Sequence, residues 1–123
     1  MSNVFRDQAK FMNACGQTVG NRNIDQFDLY VNLIKEEVGE LQVAIDNNDL
    51  VEQLDALIDI LVVTVGAVQS LGADGEGAWK EVMATNFNKI DRETGKVRKR
   101  EDGKVLKPQG WVTPNMVPFL RRK

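Results

Sequence analysis

The 123-residue chain contains no histidine. That removes nucleophile arrangements that pass a proton through imidazole, and zinc sites built on imidazole. It also removes the di-iron helical bundle, whose ligand motif pairs a glutamate with a histidine one turn on. Any metal held here must be held by oxygen, which favours magnesium, manganese or calcium over zinc or copper. A single cysteine, Cys15, allows no internal disulfide and fits a reducing, cytoplasmic setting. No basic segment followed by an apolar run stands at the start, so no signal peptide is expected. The apolar stretch 58–68 falls far short of the roughly 20 residues that cross a bilayer, so no membrane association is expected.

Cations are scarce over most of the chain. Residues 1–88 hold five Lys or Arg against fourteen Asp or Glu, whereas 89–123 hold eleven against four. The net charge of −2 therefore conceals an acidic body followed by a basic tail.

Apolar periodicity predicts helices. Val4 to Cys15 forms a short amphipathic one, broken by the glycines of GQTVGNRN. A second runs from near Asp25 to Asp46, with Phe27, Val31, Ile34, Val38, Leu41 and Ile45 facing inward. The third, Leu50 to Leu71, is capped by Asp49 and is apolar nearly all round. Such a helix needs cover on every side, which one small protomer cannot supply, so a homodimer or homotetramer is expected. After the loop GADGEG, a fourth helix over Ala78 to Ile90 is expected to turn Trp79, Val82, Met83 and Phe87 inward. KVRKREDGKVLKP reads as two short strands about an Asp102-Gly103 turn. The whole of 1–123 reads as one domain, a helical core over about 4–90 and a basic tail beyond it.

The feature that composition does not explain is a set of carboxylates beside the core. In EEVGEL, Glu37 and Glu40 are about 60° apart and border the apolar stripe, while Glu36 points further outward. On the third helix Glu52, Asp55 and Asp59 fall within an arc of about 60°. An antiparallel hairpin of the two helices brings these groups face to face near its loop. Acids at helical spacing ordinarily form a solvated face. Asp55 and Asp59, however, sit among apolar residues with almost no Lys or Arg to pair them. Like charges so placed repel, and a divalent cation with hard oxygen ligands, Mg²⁺ above all with Mn²⁺ as a substitute, relieves the repulsion.

Glu-Glu-x-x-Glu on one helix (Glu36, Glu37, Glu40) and Glu-x-x-Asp on the next (Glu52, Asp55) resemble the motifs of the MazG-like all-α nucleoside triphosphate pyrophosphohydrolases. That superfamily also includes phosphoribosyl-ATP pyrophosphohydrolase and the dimeric dUTPases. The continuation DALIDILVVTVGAVQSLG and the tail NFNKI…REDGKVLKPQGW are similar to its short single-domain members. The resemblance implies an all-α, four-helix MazG-like bundle completed by oligomerisation, with a short hairpin-like basic tail. It also implies cleavage of a nucleoside triphosphate between the α and β phosphates, giving the monophosphate and pyrophosphate. Carried over, Glu37, Glu40, Glu52 and Asp55 hold Mg²⁺; Asp59 is equally well placed, and both readings of the third helix stand.

A carboxylate not fully engaged by the metal, Glu36 or Glu37, then accepts a proton from water. Asn86, Lys89, Lys104 and Lys107 are the candidates to meet phosphate, and Phe11, Phe87 and Trp111 to stack on a base. A competing reading makes 92–107 a nucleic-acid or regulatory surface on a helical oligomer. Glu93, Glu101, Asp102 and the acidic body argue against nucleic acid.

Overall fold

The computed structural model describes residues 3–120. The chain is all-α: α1 (Val4–Ala14), α2 (Ile24–Asp46), α3 (Leu50–Ser70) and α4 (Gly75–Phe87) are followed by a single turn, α5 (Val117–Leu120). The tail residues Arg121, Arg122 and Lys123 lie outside the described residues. The chain divides into two compact units, one formed by residues up to Gly75 together with Leu120, the other by Glu76–Phe119.

In the first unit each helix begins on a side-chain cap that satisfies an otherwise unpaired backbone donor. Asn3 accepts from Arg6 N–H, Asn23 from Gln26 N–H, and Asp49, as its position predicts, from Glu52 N–H at 3.1 Å. Both α1 and α2 pack on α3. Where they meet, Met12, Tyr30 and Ala67 are buried, with Phe27, Leu33, Ile34 and Val63 packed around them. Emptying the Met12 position to alanine would cost ~2–5 kcal/mol. Gly66 makes the close approach possible: a Cβ there would enter the Tyr30 ring.

The loop between α1 and α2 is pinned by one buried amide. Gln26 Oε1 accepts from Thr18 N–H while its Nε2 donates to Thr18 C=O and to Ser70 Oγ, all within 2.8–2.9 Å. Every polar atom of that side chain is thereby satisfied, which makes its burial affordable. Gly72, at φ 73°, closes the turn after α3, and a Cβ there would meet Arg22 N at 2.8 Å.

The apolar stripe of α2 is only partly inward. Phe27, Val31, Ile34 and Leu41 are half-buried, but Val38 and Ile45 are exposed, because α3 covers only part of that face. On α3, Leu54, Leu57, Ile58 and Leu61 form an uncovered row at helical spacing, with Leu54 62% exposed.

In the second unit α4 begins three residues earlier than periodicity predicts and ends three earlier. Past Phe87 the chain tightens: Lys89 N–H bonds Asn86 C=O and Ile90 N–H bonds Phe87 C=O, each three residues back. Trp79 and Phe87 are exposed rather than inward, whereas Val82 and Met83 are half-buried. The expected two-stranded tail is reduced to isolated antiparallel bridges, Ile90 with Val97 and Lys99 with Val105. Its Asp102-Gly103 turn does form: Arg100 N–H donates to Lys104 C=O at 2.8 Å and Gly103 takes φ 90°. Ordered pairing stops there because the arms lean on no neighbouring strand and bury little. The Arg100 guanidinium beside Asp102, at 2.6 Å, holds that carboxyl below its usual range.

Candidate functional site

The turn between α2 and α3 is three residues long, Asn47 to Asp49. Asn48 adopts φ 53°, a left-handed conformation its short amide side chain tolerates, and Asp49 N–H returns to Ala44 C=O at 3.0 Å. Gln53 Nε2 also reaches Ala44 C=O, at 3.4 Å. These bonds fold α3 back along α2, so that the last turns of one face the first turns of the other.

Between them lies a cleft of about 870 Å³ whose walls include Glu36, Glu37, Glu40, Asp49, Glu52 and Asp55. Among the described residues no Lys or Arg lines it. Glu36, Glu40, Glu52 and Asp55 are exposed, while Glu37 and Asp59 are half-buried. Glu37 Oε2 is shielded from solvent and has no hydrogen-bond partner among the described residues. Burial first, then a hydrogen bond with the Glu40 carboxylate, then the like charges of Glu40, Asp59 and Asp55 push the Glu37 carboxyl up to about 7. Asp59 does not line the cleft, yet its charge bears on the same carboxyl as that of Asp55.

The sequence-predicted acids are thus gathered at one place, with Glu37 as their meeting point. Among the described residues no three of them close into a ready-made cation cage. What fits a hard cation is the donor set, oxygen throughout, and the orphaned buried oxygen of Glu37 in the midst of uncompensated charge.

The residues expected to meet phosphate or base are distributed differently. Phe11 is exposed on α1 and does not line the acidic cleft. In the second unit Lys89 Nζ donates to Asn86 Oδ1 at 3.0 Å and lies 5.0 Å from the centre of the Trp111 ring. Lys107 Nζ lies 4.9 Å from the same ring. The indole N–H donates to Thr85 C=O at 2.6 Å, which ties the tail to α4. Trp111 therefore gathers two of the expected cations by cation–π attraction. Lys104 stays apart on the turn, where its N–H donates to Asp102. Asp49 as a wall of the acidic cleft was missed from sequence, although its place as an N-cap beside Glu52 was the available signal.

With α2 and α3 in view, the class follows: the chain belongs to the phosphoribosyl-ATP pyrophosphohydrolase family, whose sequence profile matches residues 18–86, more than half of the 123. That family lies within the MazG-like all-α nucleoside triphosphate pyrophosphohydrolase superfamily. At the level of single proteins, the chain is 39% identical over 74 residues to the uncharacterized protein L479 of Acanthamoeba polyphaga mimivirus, a match covering 58% of this chain and 30% of that one. The chain thus spans less than a third of that relative's length. All the acids of the cleft fall inside residues 18–86.

Proposed function

We propose that the chain is a Mg²⁺-dependent nucleotide pyrophosphohydrolase that cleaves a nucleoside triphosphate between its α and β phosphates. The observation that carries this reading is the orphaned Glu37 oxygen beside Glu40, Asp55 and Asp59, in a cleft that no cation among the described residues lines, within a member of a pyrophosphohydrolase family. Glu37, Glu40, Glu52 and Asp55, with Asp59 behind them, would hold the ion. When bound, magnesium neutralises phosphate oxygens and acidifies a water. The chain's own part is to aim that water and take its proton on a carboxylate of Glu36 or Glu37. The water oxygen ends on phosphorus, the anhydride bond breaks, and the monophosphate and pyrophosphate leave. The uncovered row Leu54, Leu57, Ile58 and Leu61 of α3 fits a second copy of the chain, because its four members are all apolar and their helical spacing lines them up on one face.

The test is pyrophosphate release from a panel of canonical and modified nucleoside triphosphates, with and without Mg²⁺. Metal-dependent release of pyrophosphate together with the monophosphate is expected, and the double variant Glu40→Ala, Asp55→Ala should lose it by several orders of magnitude. Absence of release from every nucleotide, or full activity in the double variant, would overturn the reading.

A further inference from the structure

The second unit holds a cleft of its own, of about 610 Å³, formed where residues 108–112 fold back beside the end of α4 and the 91–95 turn. It shares no lining residue with the acidic cleft. Its chemistry is mixed. Phe87, 59% exposed, offers an aromatic face beside Ile90 and Pro108. The side-chain amides of Asn88 and Gln109 have no hydrogen-bond partner among the described residues, nor does the Arg92 guanidinium. Among the described residues the one lining carboxylate is Asp91, whose Oδ1 accepts from Glu93 N–H at 2.8 Å and from Thr94 N–H at 3.3 Å.

In the wall itself Arg92 balances Asp91, and the positive excess comes from beside it, where Lys107 and Lys89 lie against the ring of the lining residue Trp111. Lys89 is already paired with Asn86. An apolar ring platform, two amides that both donate and accept, and an uncommitted guanidinium with a lysine nearby are what a heteroaromatic base joined to a phosphate needs. A purely apolar ligand would leave the amides and guanidinium unmatched; a bare anion would leave Phe87 unused.

We propose that this cleft is a nucleoside-phosphate site in which Phe87 carries the base, Asn88 and Gln109 read its edge, and Arg92 with Lys107 holds the phosphate. It goes beyond the hydrolytic reading, since none of its residues is one of the acids, and it stands whether or not those acids hydrolyse a nucleotide. A free nucleotide and the residues of a single-stranded nucleic acid share this chemistry.

The experiment follows Trp111 fluorescence in the full chain carrying Trp79→Phe, which leaves Trp111 as the one tryptophan, titrated with AMP in EDTA. Saturable quenching is expected, weakened by about tenfold or more in Arg92→Ala and in Gln109→Ala and retained in Glu40→Gln, Asp55→Asn. Because Arg92 and Gln109 are both exposed, these variants should melt as the parent does. Pyrophosphate alone should bind more weakly than AMP, since it has no base. A short single-stranded oligonucleotide binding far more tightly than AMP, with the same variants weakening it, would identify nucleic acid as the source of the ligand. No saturable quenching, quenching indifferent to Arg92→Ala and Gln109→Ala, its loss in the acid variant, or pyrophosphate binding as tightly as AMP would each overturn the proposal.

Discussion

Glu37 carries one carboxyl oxygen into a place where no described residue donates to it, while Glu40, Asp55 and Asp59 surround it with charge of its own sign. A neutral amide at that position relieves the repulsion and can donate to Glu40. Glu37→Gln should therefore melt at a higher temperature than the parent chain in EDTA, yet gain less from added Mg²⁺ and lose metal-dependent turnover. A fall in melting temperature in EDTA would show that the charge is compensated.

Tyr30 makes a prediction of opposite character. Burial, opposed by its hydrogen bonds to Gln17 at 2.5 Å and Gln8 at 3.5 Å, pushes the phenol above its ordinary value of 10.0. The folded chain holds this proton more tightly than the unfolded chain does, so the stability it contributes is complete below pH 10.0 and is lost as pH rises through the folded value. Tyr30→Phe should cost about 1–3 kcal/mol at neutral pH, by stranding two amides, and should flatten the alkaline decline. Thermal melts from about pH 8 to pH 11 read both effects.

At the scale of elements, the cap of α3 matters twice, since Asp49 both starts the helix and walls the acidic cleft. Asp49→Ala should destabilise by about 1 kcal/mol, read as a lower urea midpoint with an unchanged slope. The first three helices were legible in the sequence almost to the residue, because each has local periodicity and a capping residue. The fourth was not. GADGEG reads as loop, but Gly75 is tightly approached by the Phe5 ring and by Val68, a long-range constraint that no local pattern carries. The acids were legible as a group because helical spacing alone aims them. Spacing also turns Glu36 outward and sets Glu37 and Glu40 beside the apolar stripe; that Glu37 rather than Glu40 holds the buried oxygen depends on how α3 lies against α2, which spacing does not give. The cleft of the second unit was illegible for a further reason: one indole hydrogen bond to Thr85, made by an irregular segment, builds it.

Taken as a whole molecule, the single chain leaves the row Leu54, Leu57, Ile58 and Leu61 in water, next to the helical turns that carry Asp55 and Asp59. Soluble proteins seldom leave a contiguous apolar strip bare. Leu54→Lys with Ile58→Lys should convert a self-associating species into a monomer in sedimentation velocity. Since both side chains are more than half exposed in the single chain, secondary structure should survive. A parent chain that is monomeric at high micromolar concentration would contradict this.

The Gln26 side chain grips Thr18 at both its N–H and its C=O, and residue 18 is also where the family match begins. The segment joining α1 to α2, although flanked by Gly16 and Gly20, thus has a mid-point locked like one rung of a sheet. In native-state hydrogen exchange the Thr18 amide should outlast its glycine neighbours, opening with the core of the first unit rather than with the loop. The helix α1 is then not a loosely tethered extension but a part that unfolds in step with the rest of the first unit.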